Sequence, residues 1–248
     1  MTRALSVMRD AAAAGLQNTK RSTSGLSGGD SVRLQKAVTN GLLNGCPLIA
    51  DMMTIALAVS EQNAKMGRIV ACPTAGSCGI VPAVFFALQK ANGYSDEELV
   101  DALFTAGAIG VVIAKNASIA GASGGCQAEC GSAAAMAAAA AVELMGGTPL
   151  QACHAVAFSL KSLMGLVCDP VGGLVEVPCV KRNAFCAVNA YVAATMALAG
   201  IESLIPADEV IKAMDEVGKL MPSALKETAK GGIAATPTAH ILAKAIMK

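Results

Sequence analysis

Residues 133–142 are alanine at every position except Met136 and the closing Val142. Alanine is the strongest helix former, and a helix with no polar face has to be covered on all sides. Small side chains also let neighbouring helices approach closely, so this run predicts a central helix in a tightly packed, all-helical fold. The composition agrees, with 54% of the 248 residues hydrophobic, 15% charged, no Trp, 2 Tyr and 5 Phe. So much apolar surface offsets chain entropy and excludes disorder. The 19 Lys plus Arg against 18 Asp plus Glu leave a formal net charge of +1, which removes any composition-level case for a nucleic-acid partner.

Gly, Pro and capping residues divide the rest into helical runs. Residues 2–16 read as an amphipathic helix, followed by a polar Gly-rich loop over 22–30 with Asp30 or Ser31 capping the next helix. Residues 47–65 and 81–91 are helical, separated by the loop 71–79. A Ser95-x-x-Glu98 capping box opens a helix over 99–112. A small-residue loop over 118–125 leads into the alanine run, which stops at Gly146-Gly147. Residues 149–164 form another helix, and the longest irregular stretch spans 165–179, with 174–180 as a candidate short strand. A helix over 181–200, one with Pro206 in its first turn and a tail containing Gly231-Gly232 complete a single domain, 1–248. Residues 184–201 are long and uncharged enough to cross a membrane. Their alanine content, with Asn189, Thr195 and no aromatic belt, favours a buried helix, so no membrane partner is expected.

Nine cysteines are the odd item. The count is odd, the chain is too long to need stapling, and Arg3, Arg9 and Asp10 interrupt any signal-like opening, which together point to a reducing cytoplasm. Cys153 and Cys186 in Ala-rich helices, and Cys46 between Gly45 and Pro47, read as small buried hydrophobes. The other six flank Gly-rich loops in pairs: Cys72 and Cys78, Cys126 and Cys130, Cys168 and Cys179. Glycines let a backbone approach a ligand closely, and a helix starting there favours an anion. Structural zinc favours tighter cysteine pairs or His partners, and only His154 and His240 are available, His154 reading as a satisfied helix-face residue. Spacing leaves a redox or an iron-sulfur site open.

The segments Ser24-Gly-Leu-Ser-Gly-Gly-Asp30, Cys72-Pro-Thr-Ala-Gly76, Ser118-Ile-Ala-Gly-Ala-Ser-Gly-Gly-Cys-Gln-Ala-Glu-Cys-Gly131, Gly165-Leu-Val-Cys-Asp-Pro-Val-Gly-Gly-Leu-Val-Glu-Val-Pro-Cys179 and Arg182-Asn183-Ala184 closely resemble the iron-sulfur-dependent L-serine dehydratases. The similarity runs in order over residues 3–238. It implies an all-helical catalytic domain that binds a 4Fe-4S cluster and converts L-serine to pyruvate and ammonia without pyridoxal phosphate, in serine catabolism and gluconeogenesis. The cluster ligands it implies are Cys126, Cys168 and Cys179. Three thiolates leave one iron open to act as a Lewis acid on the substrate hydroxyl, while a base removes the α-proton. Thr74, Ser77 and Ser123 are candidates for holding the substrate, and Asn183, with Arg182, either supports the third ligand or begins a helix. Cys72, Cys78 and Cys130 read as small loop residues near the site.

The sequence departs from single-chain members of that family. A Gly-Pro-Ser-Ser-Ser-His-Thr motif and a terminal cysteine are missing, and Lys161-Ser162-Leu163 stands where those members have Glu-His-Asn. The resemblance therefore implies an alpha subunit, short at its N-terminus, that works in an oligomer with a beta subunit carrying the missing motif. An L-cysteine desulfidase of related chemistry and a noncatalytic remnant are the alternatives.

Overall fold

The computed structural model describes residues 1–246, and among them the chain forms eleven α-helices. They are α1 (Thr2–Gln17), α2 (Asp30–Thr39), α3 (Pro47–Ala64), α4 (Ile80–Asn92), α5 (Asp96–Asn116), α6 (Gly121–Gly124), α7 (Ser132–Leu144), α8 (Pro149–Leu163), α9 (Cys179–Leu198), α10 (Ala207–Leu220) and α11 (Pro237–Ile246). The alanine run is the axis of the fold. Every residue from Ser132 to Val142 is buried, and α4, α5, α8 and α9 pack around it. Capping boxes explain where two of these neighbours begin: Ser95 with Glu98 opens α5, and Thr148 with Gln151 opens α8. No helix among the described residues is long and apolar enough to cross a membrane.

Small residues set the spacing on the other side of the core as well. A side chain added at Gly15 of α1 would place its Cβ 2.2 Å from the carbonyl oxygen of Ala58 in α3. Gly15→Ala gains about 1 kcal/mol of helix propensity but forces two backbones apart, a cost of about 3 kcal/mol. The net loss of about 2 kcal/mol should lower the midpoint of thermal unfolding by about 4 to 8 °C. An unchanged midpoint would show that the two helices separate freely.

Four sequence expectations change. Neither Asp30 nor Ser31 caps α2. The buried Glu61 of α3 does so from across the interface, accepting from the backbone N–H groups of Gly29 (3.0 Å), Asp30 (2.7 Å) and Ser31 (3.4 Å) and from Ser31 Oγ (3.1 Å). A carboxylate there satisfies orphan donors and complements the helix dipole. Residues 174–180 are not a strand: Pro178 lacks a donor, and the Val180 N–H bonds to the Glu176 carbonyl as α9 begins. The β-type pairing found among the described residues is an isolated parallel bridge between Cys168 and Lys226. Cys46 and Cys153 are exposed. Cys46 precedes the first turn of α3, and Cys153 shares the outer face of α8 with Leu150, whereas Ala152, Ala155 and Val156 take the inner one. Finally, the tail after Gly232 contains a further helix, α11.

Candidate active site: a buried group of thiols

Three separate segments bring Cys126, Cys168 and Cys179 below the surface. The first is the junction between α6 and α7. Cys126 precedes a π-helical turn, Gln127–Gly131, that runs directly into α7. Such a turn carries one residue more than an α-helical turn and recurs at functional sites. Here it gathers Cys126, Glu129 and Cys130, with one donor atom from each lying within 4.8 Å of the others. Gln127 anchors the turn: its Nε2 donates to the Met214 carbonyl of α10 (2.8 Å) and its Oε1 accepts from the Gly165 N–H (2.8 Å).

The second segment is the stretch after α8. Cys168 is held by backbone pairing, its N–H donating to the Leu225 carbonyl (2.9 Å) and its carbonyl accepting from the Glu227 N–H (2.7 Å). The buried Asp169 accepts from Arg182 Nη2 (2.9 Å) and from the Ile233 N–H (2.7 Å), and Arg182 Nη1 donates to the Val167 carbonyl (2.8 Å). Residues 225–233 are thereby folded over the site.

The third thiol, Cys179, is the first residue of α9. The loop before it is fixed by Glu176, a buried carboxylate that accepts from Ser22 Oγ (2.6 Å), Ser24 Oγ (2.7 Å) and Ser27 Oγ (2.5 Å). These serines belong to the polar loop ahead of α2, whose side chains have turned inward onto that carboxylate.

Of the substrate-holding candidates, Thr74 and Ser77 stand together, their hydroxyl oxygens 3.1 Å apart, and Thr74 Oγ1 donates to Glu129 Oε1. Asn183 is fully engaged: Nδ2 donates to the Gly76 (2.8 Å) and Cys179 (3.0 Å) carbonyls, and Oδ1 accepts from the Gly79 N–H (3.0 Å). It braces the 72–79 loop against α9 instead of presenting a free group. Ser123 is exposed on α6 and makes no side-chain hydrogen bond among the described residues. His154 is satisfied by the Ser203 N–H at 3.1 Å.

Electrostatics tie the thiols into one group. Burial pushes the Cys179 thiol up to about 12, with charge at Cys126 and Glu129 adding to the effect and Arg182 opposing it. Burial, then Cys126, Glu227, Cys179 and Glu129, push Cys168 up strongly. Cys126 moves the other way, because Cys130 donates to it and the Arg182 guanidinium stands beside it. Cys130 is pushed well above its ordinary value by its contacts with Cys126 and Cys186 and by burial. Burial also raises the Glu129 carboxyl, against donation from Thr74. Such a set is suited to a cation or metal group, which stabilises neighbouring thiolates that protein alone leaves protonated.

Glu129, Glu176 and Asp169 are the residues that sequence reasoning passes over. Glu129 lies inside the Cys126-Gln-Ala-Glu-Cys130 motif, yet its inward aim depends on the π-turn, which the spacing of two cysteines does not announce. For Glu176 the available signal is three serines within six residues, to be matched with an acidic residue in a Gly-rich loop.

The fold and the site define an all-helical protein with a buried, metal-capable group of cysteines and a carboxylate. A family profile described as the serine dehydratase alpha chain matches residues 1–234, and the chain belongs to that family. It is 57% identical over 242 residues to the probable L-serine dehydratase alpha chain of Bacillus subtilis, covering 98% of this chain and 80% of that one. It is 55% identical over 191 residues to its counterpart in Latilactobacillus sakei (77% and 91% covered). The L-serine dehydratase alpha chain of Peptoniphilus asaccharolyticus shares 50% identity over 200 residues (81% and 68% covered).

Proposed function

We propose that this chain is the catalytic alpha subunit of an iron-sulfur L-serine dehydratase, a lyase that converts L-serine to pyruvate and ammonia. Membership of the family supports the serine-deaminating reaction, and the names of the relatives favour serine over cysteine as substrate. The observation that carries the cofactor is the burial of Cys126, Cys168 and Cys179, from three segments, beside one carboxylate, Glu129. Thiolates from separate loops suit a 4Fe-4S cluster. A cluster also spaces its thiolates more widely than a single ion does, so Cys126, Cys168 and Cys179 are the better ligand set than the tighter Cys126, Glu129 and Cys130.

When bound, such a cluster supplies a Lewis-acidic iron that makes the β-hydroxyl a better leaving group. The chain's own residues do the rest. Thr74 and Ser77 present hydroxyls on one side of the site, and Asn183 keeps their loop in register with α9. Arg182 offsets negative charge at Cys126 while Asp169 holds its guanidinium in place. Loss of the α-proton and the β-hydroxyl leaves an enamine, which hydrolyses to pyruvate and ammonia. Residues 1–248 form one domain, and a beta chain bearing Gly-Pro-Ser-Ser-Ser-His-Thr completes the enzyme as an oligomer. A cytoplasmic location suits nine free thiols.

Anaerobic reconstitution with ferrous iron and sulfide tests the proposal. The protein should turn brown and hold about four iron and four sulfide per chain. Mixed with the beta chain, it should release pyruvate and ammonia from L-serine in equal amounts. A colourless, iron-free product would sink the cofactor assignment, and faster turnover of L-cysteine than of L-serine would replace the dehydratase with a desulfidase.

A further inference from the structure

Glu129 is a carboxylate set among thiols that become anionic when they hold a metal. Cys126 and Cys130 stand within 4.8 Å of it, and Cys168, Cys179 and Glu227 are close enough for their charges to be felt in the same group. None of the ion pairs among the described residues includes Glu129. The nearby cation, Arg182, is tied to Asp169 and the Val167 carbonyl and faces Cys126. A partly buried anion without a cation is costly, and a cluster on three thiolates adds negative charge rather than removing it.

The space around this carboxylate is kept open by glycines. A Cβ at Gly76 would fall 2.6 Å from Glu129 Oε1, and one at Gly121 would fall 3.5 Å from Oε2 and 2.8 Å from Cys168 Sγ. Oε1 is oriented by the Thr74 hydroxyl, which leaves Oε2 toward the space that borders Cys168. The carboxylate is thus held at Oε1, while no hydrogen bond among the described residues reaches Oε2, which lies beside Cys168.

We propose that Glu129 is the subsite for the substrate's α-ammonium group. This deepens the dehydratase reading and rests on it. An α-amino acid brings one anionic and one cationic group: its carboxylate and β-hydroxyl would face a metal group held by Cys126, Cys168 and Cys179, while its ammonium turns toward Glu129, with a charge-assisted N–H···O bond to Oε2. The residue thereby selects amino acids over hydroxy acids of the same shape. Thr74 is its positioning residue, acting through Oε1.

The test uses the anaerobically reconstituted protein with its beta chain and compares L-serine with glycerate, in which a hydroxyl replaces the ammonium. KM for serine and the inhibition constant of glycerate are measured beside iron content. In Glu129→Gln, KM for serine should rise about 100-fold, the usual loss for one partner of a desolvated charge pair, while glycerate inhibition and bound iron stay as in the parent. Glu129→Asp, which keeps the charge on a shorter arm, should recover part of the preference. A Gln variant that keeps the parent serine-to-glycerate ratio and loses only kcat would overturn the proposal in favour of proton transfer. Loss of iron from both variants would overturn it in favour of a ligand role. A parent protein that holds no iron removes the dehydratase reading, and the subsite with it.

Discussion

Cys168→Ala protein, reconstituted anaerobically, should bind iron at least about 100-fold more weakly than the parent, beyond the 10- to 100-fold that a supporting partner of a ligand commands. The reason lies in how Cys168 is built in. Its backbone is paired on both sides with residues 225–227, and the next residue, Asp169, is clamped by Arg182 and by the Ile233 N–H. Cys130 is a poor substitute, because its thiol is fully buried and engaged with Cys126 and Cys186. Cys153→Ser is the matched control: that thiol is exposed on α8, and its loss should leave iron content and the visible spectrum unchanged. Equal iron in the Cys168 and Cys153 variants would remove Cys168 from the ligand set.

Glu176→Ala should be the most damaging substitution outside the thiols. The carboxylate is 5% exposed and accepts three serine hydroxyls, so truncation leaves Ser22, Ser24 and Ser27 facing a cavity. Hydrogen bonds to a charged group contribute about 1.5 to 3 kcal/mol each and do not add fully, so a loss of about 4 kcal/mol is expected. That is about 8 to 16 °C in the midpoint of thermal unfolding for a domain of this size. Glu176→Gln keeps one acceptor oxygen and should lose about half as much. A midpoint within a degree or two of the parent for both variants would mean that the serine loop holds itself. Because Glu176 lies three residues before Cys179, the Ala variant should also lose iron faster to a chelator.

Much of the architecture is legible in the chain because helices here carry their own punctuation. Pro47 and Pro149 open α3 and α8, Ser95 with Glu98 opens α5, and an uninterrupted alanine run can only be central. The candidate ligand thiols, Cys126, Cys168 and Cys179, stand out through the motifs around them. What the chain does not display are features created by partners remote in sequence. Glu61 looks like one more polar residue on α3 until it meets the start of α2, where it replaces the cap expected from Asp30 or Ser31. Among the described residues the alternating pattern of 174–180 has no neighbouring strand to pair with, and Val180 joins α9 instead. Glu129 gains its inward aim from a π-turn, and small residues such as Gly, Ala and Cys give no signal for one. Cys153 differs from Cys186 only by the helix face on which it falls.

The separation in sequence of the segments around the thiol group also fixes when that group can be enclosed. The helix pairs of the core, such as α3 with α4 and α7 with α8, join neighbours in sequence and close early. The site is assembled from the most distant pieces: Ser27 and Glu176 are separated by 149 positions, Asn183 and Gly76 by 107, Ile233 and Asp169 by 64. Ordering such loops carries the larger entropic cost, and the clamp on Asp169 cannot form until residue 233 has left the ribosome. The thiols are therefore enclosed only once these distant segments have met. Before that, the same thiols face solvent and its oxidants, so refolding under reducing conditions should return more protein with its cysteines intact than refolding in air.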